Sequence, residues 1–81
     1  MPKVFDVGAF RVVVYPNDHG PPHVHAVGPD GVARFSLGDG PEEVRLMDVD
    51  GILKSDLKKI TEQIIGRHAE CREKWRSIHG N

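Results

Sequence analysis

The residue types best suited to chemistry lie between positions 16 and 25, where three of the five histidines stand within seven residues. They are His19, His23 and His25. The last two are separated by one residue, so on a β-strand they would project from the same face, about 7 Å apart at the backbone. Pro21 and Pro22 restrict the backbone just before them. This spacing predicts a prepared polar site at the junction of a loop and a strand.

The first interpretation of this segment is a metal site. Two imidazoles in a His-x-His pattern can bind one divalent transition metal such as zinc. His19 would approach from the loop, and Asp18 would serve as a carboxylate ligand or orient an imidazole. The predicted ligands are therefore Asp18, His19, His23 and His25. The sequence shows no obvious distant ligand to add to them.

The second interpretation needs no metal or other cofactor. Imidazoles titrate near neutral pH, so two of them can serve as base and acid in cleaving RNA at its 2′-hydroxyl. The candidates are His19, His23 and His25, and Arg34 or Arg11 from a neighbouring strand would stabilise the developing phosphorane charge. A third interpretation is structural, with Asn17 and His19 closing the loop by hydrogen bonds. The residues alone leave these three open.

The elements that must position these side chains are short strands followed by a helix. β-Branched and aromatic runs separated by glycine- and proline-rich turns predict strands at 3–7, 10–15, 23–27, 32–37 and, less clearly marked, 43–47. Ser55 is the predicted N-cap of a helix that continues to residue 79 and ends at Gly80. We therefore expect an α+β fold: a small antiparallel sheet of four to five strands with one long C-terminal helix packed on one face.

The predicted helix has one apolar stripe, into which His68 falls as a buried, hydrogen-bonded residue. A straight helix over 55–79 would be about 37 Å long, whereas five-residue strands span only about 17 Å. Three explanations are open for this difference in length. The sheet is larger than predicted, the helix bends near Gly66, or the far half of the helix packs on another chain. We hypothesise the last, a homodimer or small partner protein bound through Cys71, Trp75 and Ile78.

Size and composition restrict the class of protein. The 81 residues form one predicted domain, 1–81, and 22 of them are Val, Leu, Ile or Phe, enough for a small core. The net charge of −1 excludes a strongly basic nucleic-acid module, although an RNA partner remains compatible. One cysteine cannot form an intrachain disulfide, and no apolar run could span a membrane or serve as a leader. We expect a cytoplasmic protein, with Cys71 as a core residue.

A resemblance supports the special status of the histidine segment. The string N-D-H-x-P-P-H-V-H at 17–25, preceded by F-R at 10–11 and followed by A-x-F at 33–35, resembles domain of unknown function 4160, a prokaryotic family. The similarity extends to the closing helix near Trp75. It implies a small bacterial protein with a mostly β front part and a C-terminal helix. It further implies an association with toxin–antitoxin-like gene pairs, but no established reaction. We therefore expect one member of such a pair, and the alternative is a non-catalytic protein-binding or regulatory module.

Overall fold

The computed structural model describes residues 3–80, which form five strands followed by two helices. The strands are β1 (Lys3–Val7), β2 (Phe10–Val13), β3 (His23–Val27), β4 (Val32–Ser36) and β5 (Arg45–Asp50). The helices are α1 (Lys54–Gly66) and α2 (His68–His79), and a short 3-10 turn occupies Pro41–Glu43. The α+β class is therefore confirmed with five strands, whereas the prediction of one long helix is wrong.

The strands form a single antiparallel meander in the order β1-β2-β3-β4-β5. Gly8 takes a positive φ of 57° in the two-residue link between β1 and β2, a conformation that side-chain-bearing residues rarely adopt. The fifth strand begins at Arg45 instead of the predicted residue 43, because the 3-10 turn uses residues 41–43. Strand β5 stands at one edge of the sheet, and all six of its residues are exposed.

Alternation along β3 and β4 separates the core from the candidate site. Val24 and Ala26 pair with Phe35 and Ala33, and all four side chains are buried in the core. The intervening residues project to the opposite face, where two cross-strand pairs stand side by side: His23 with Ser36, and His25 with Arg34. The two-residue period therefore places both strand histidines and the candidate arginine on one surface.

The C-terminal helix is broken at Arg67, which has non-helical backbone angles of φ −117° and ψ 31°. Gly66 just before it is a poor helix former, which makes this the weakest point of the predicted helix. A straight helix of about 37 Å would also exceed the longest dimension of the chain, 33 Å. The helix start was misplaced as well, since Leu53 occupies the N-cap position instead of Ser55.

The break turns α2 back onto the sheet, where polar side chains attach it to the end of β4. His68 is buried and its Nε2 donates to the Leu37 carbonyl at 2.8 Å, which confirms its predicted role. Arg72 donates to the Gly38 carbonyl at the same distance. The apolar stripe is continuous because α1 and α2 each bury their own part of it against the sheet.

The residues predicted to bind a partner mostly lie inside this core. Cys71 and Trp75 are buried, and Ile78 packs against the core cluster. The overhang that motivated the partner hypothesis is therefore absent, because the bend near Gly66 accounts for the long stripe. Homodimer formation itself stays a prediction. Within residues 3–80, no helix is both long and apolar enough to cross a membrane.

Candidate metal centre

The loop between β2 and β3 delivers Asp18 to the two strand histidines. A turn holds this loop, in which the Asp18 N–H donates to the Tyr15 carbonyl at 3.1 Å. At its other end the Leu37 N–H donates to the Pro22 carbonyl at 3.0 Å, so the loop is tied to the end of β4. Backbone bonds at both ends thus fix the segment that carries the carboxylate.

One carboxylate oxygen of Asp18 joins both imidazoles. Its Oδ2 lies 2.8 Å from His25 Nε2 and 3.1 Å from His23 Nε2. The three side chains retain between 14% and 24% of their exposure, so the cluster is partly buried but open to solvent on one side. Ligand atoms from all three residues lie within 4.8 Å of one another. The arrangement forms a compact triad with one acidic and two imidazole groups.

His23 is oriented by a second hydrogen bond. Its Nδ1 lies 2.9 Å from the Pro21 carbonyl, which can only accept, so Nδ1 must carry a proton. In a metal-bound histidine, a backbone carbonyl commonly accepts the hydrogen bond from the ring nitrogen that does not bind the metal. In His23 this arrangement leaves Nε2 to face Asp18 and His25. In that tautomer Nε2 carries a lone pair, which can bind a metal ion.

The spacing of the three ligand atoms suits a small divalent ion. Bonds of about 2.0–2.2 Å in tetrahedral geometry place neighbouring ligand atoms about 3.3–3.5 Å apart. The two Asp18–histidine distances of 2.8 and 3.1 Å need to lengthen by about 0.2–0.7 Å to reach this separation. Nitrogen and carboxylate oxygen are ligands that zinc accepts readily. Three protein ligands leave a fourth position for water, substrate or a partner's side chain.

Two aromatic residues that sequence reasoning missed form the walls of the cluster. The Tyr15 ring lies 4.7 Å from the His25 ring, centroid to centroid, and the Trp75 ring lies 5.0 Å from the His23 ring. Tyr15 is the last residue of the predicted strand 10–15, whereas the observed β2 ends at Val13, and it could have been noted. Trp75 lies 52 residues after His23 along the chain, and only the return of α2 onto the sheet brings the two together.

The other predicted site residues lie beside the triad. His19 is exposed and outside the set of converging ligand atoms, which within residues 3–80 comprises Asp18, His23 and His25. Arg34 lies opposite His25 on β4, and its Nη2 pairs with Asp48 at 2.6 Å. Among the described residues 3–80, the side-chain hydrogen bonds that close this loop involve Asp18 and the Pro21 carbonyl, and none involves the side chain of Asn17 or His19.

Cys71 takes no part in this chemistry. It is fully buried in the core, and burial raises the pKa of its thiol to about 12, with a smaller contribution from Glu70 that Arg67 opposes. A thiol with this pKa stays protonated at neutral pH, so it is neither a nucleophile nor a ready metal ligand. The prediction that Cys71 is a core residue is confirmed.

Comparison with known proteins connects this site to a family. Neither the curated proteins nor the solved structures include a match to the chain. A family model described as domain of unknown function (DUF4160) matches residues 9–76, which include every strand of the site and both helices up to Arg76. The match covers most of the chain, and the chain therefore belongs to the DUF4160 family.

Proposed function

We propose that the chain is a metal-binding module whose centre is formed by Asp18, His23 and His25. The observation that carries this proposal is the convergence of three ligand atoms within 4.8 Å, contributed by a tied loop and a regular strand. The Pro21 carbonyl supports it, because it selects the His23 tautomer that directs Nε2 inward. Zinc is the ion we expect, given the mixed nitrogen and oxygen ligands.

The role of the metal follows from its incomplete ligand set. Structural zinc sites are closed by four protein ligands, whereas three ligands leave a position open. Arg34 and Ser36 pair with His25 and His23 across β3 and β4, and strand alternation places all four on the same face of the sheet. A metal ion in this place would polarise a ligand or bound water beside a guanidinium group.

Elemental analysis of the protein purified without a histidine tag tests the proposal. We expect close to one zinc ion per chain, released by a chelator and restored by added zinc. His23→Ala with His25→Ala should abolish retention. His19→Ala is the matched control, since it removes an exposed imidazole one residue from Asp18 and should leave the stoichiometry unchanged. Loss of metal in His19→Ala, or retention in the double variant, contradicts the assignment.

Cleavage of RNA without a metal is the second candidate. Both ring nitrogens of His23 already face acceptors, but His25 bonds to Asp18 through Nε2 and lines an open groove together with Arg34. An Asp18-oriented His25 would then act as the base, with Arg34 stabilising negative charge. This candidate also fits the toxin–antitoxin-like pairing that the family resemblance implies, with the chain as the RNA-cleaving member.

Expression in bacteria without any partner gene tests this second candidate. A ribonuclease of this kind should arrest growth, and His25→Ala should relieve the arrest, while Arg45→Gln, which removes an exposed charge of β5 outside the site, should leave it unchanged. Harmless expression of the wild type, or equal toxicity of His25→Ala, removes the basis for cleavage. The metal proposal is unaffected by either result, since its readout is stoichiometry.

A further inference from the structure

Beside the metal centre, on the outer face of the sheet, is a small groove of about 180 Å³. The β2–β3 loop forms one wall through His19 and Pro21, and β4 forms the other through Arg34 and Ser36. The exposed side chain of Met47 on β5 closes one side, and His23 joins the groove to the metal centre. His19 is not a ligand of the proposed metal centre, but it lines this groove.

The polar groups of this groove are all able to donate hydrogen bonds. Arg34 supplies a guanidinium group, Ser36 a hydroxyl and His19 an imidazole N–H, and no carboxylate lines the groove. A larger neighbouring groove contrasts with it, because there Arg34 and His25 face the two acids Asp48 and Asp50. The two grooves therefore differ in the charge of the residues that line them, and of the two only the smaller one suits an anion.

Arg34 has donor capacity that the fold does not use. Its Nη2 pairs with Asp48, but its Nε is inaccessible to solvent and has no hydrogen-bond partner within residues 3–80. The side chain as a whole keeps 43% of its exposure, so the terminal nitrogens of the guanidinium group, not Nε, are the donors that a ligand in the groove can reach. The pair with Asp48 is exposed, and such surface pairs contribute only about 0–1 kcal/mol. The guanidinium group is therefore available to a ligand.

We propose that this groove binds a phosphate group. Donors placed on a loop and on a strand approach the groove from different sides, which suits the several oxygens of a tetrahedral anion better than the two of a planar carboxylate. Arginine is well matched to phosphate because its planar fork can donate two parallel hydrogen bonds. The site adds to the proposed metal centre without depending on it, because none of its three donors belongs to the metal ligand set.

Calorimetric titration of chelator-treated protein tests this site at constant ionic strength. The probes are inorganic phosphate, a 5′-mononucleotide and a short single-stranded RNA. We expect wild-type protein to bind at least one probe, and Arg34→Gln to weaken that binding about tenfold or more. His19→Ala should weaken it less. Arg45→Gln is the matched control, because Arg45 is exposed on β5 and lies outside the groove.

The outcomes separate the sources of the phosphate group. Tightest binding of the RNA identifies a phosphodiester chain as the ligand, and tightest binding of phosphate or the mononucleotide identifies a terminal or free phosphate. Equal affinity of Arg34→Gln and wild type overturns the proposal, as does the absence of binding by wild type to every probe. Because the protein is metal-free in this assay, a failed metal assignment cannot produce either result.

Discussion

Replacing Asp18 by asparagine should abolish the stabilisation of the fold by zinc. Asp18 Oδ2 is the atom that contacts both imidazoles, at 2.8 and 3.1 Å, and an amide of the same shape lacks its negative charge. An ion that binds only the folded state at one hundred times its dissociation constant stabilises it by about 2.7 kcal/mol. In a domain of this size each kcal/mol shifts the melting temperature by about 4–8 °C, so the expected rise is about 11–22 °C.

The assay is thermal unfolding followed by circular dichroism, with and without zinc, for wild type and variant. Asp18→Asn should also be less stable without zinc, by about 1–3 kcal/mol, because two hydrogen bonds to a charged acceptor are weakened. His19→Ala is the control and should keep the full zinc-dependent rise. If Asp18→Asn shows the wild-type rise, or if wild type shows none, the ligand assignment is refuted.

Three further predictions concern the parts of the fold that support the site. Trp75 is the single tryptophan and lies against His23. Cu²⁺ bound at the centre should therefore quench its fluorescence, with an endpoint at one equivalent. The double variant His23→Ala with His25→Ala should remove that endpoint. His68→Leu should lower the free energy of unfolding in urea by about 1–3 kcal/mol, because it leaves the Leu37 carbonyl without its partner. The Cys71 thiol has a pKa of about 12 in the folded state against 9.0 for an unperturbed thiol, so its contribution to stability is complete below pH 9 and declines as the pH rises toward 12. Melting temperatures measured at pH 8 and above pH 10 should show this decline in wild type and a smaller one in Cys71→Ala.

Local sequence patterns were sufficient to predict the positions of most strands of the sheet. The runs at 3–7 and 23–27 match β1 and β3 residue for residue, because strand alternation and glycine- or proline-containing turns are properties of neighbouring residues. The fifth strand begins two residues later than predicted and ends three residues later, since the turn at Pro41–Glu43 depends on how the chain returns to β4. The helix break at Arg67 was one of three open alternatives, and length alone could not select it.

Part of the candidate site was also predicted, because it depends on spacings between residues that are close in the sequence. The His-x-His spacing and the two-residue period place His23 and His25 on one face, and the short loop keeps Asp18 near them. The position of His19 depends on the loop's backbone course, which turns it away from the triad and into the neighbouring groove. The pairing of Arg34 with Asp48 depends on the register of β5 against β4.

The sequence by itself determined the residue types of a polar site and the strand that presents them, since both follow from spacings of a few residues. The tertiary structure decided which ligand atoms meet, which wall Trp75 forms, and whether the apolar helical stripe needs another chain to cover it. Those outcomes depend on contacts between residues far apart in sequence. Here they depend above all on the bend at Arg67, which returns α2 to the sheet and brings Trp75 against His23.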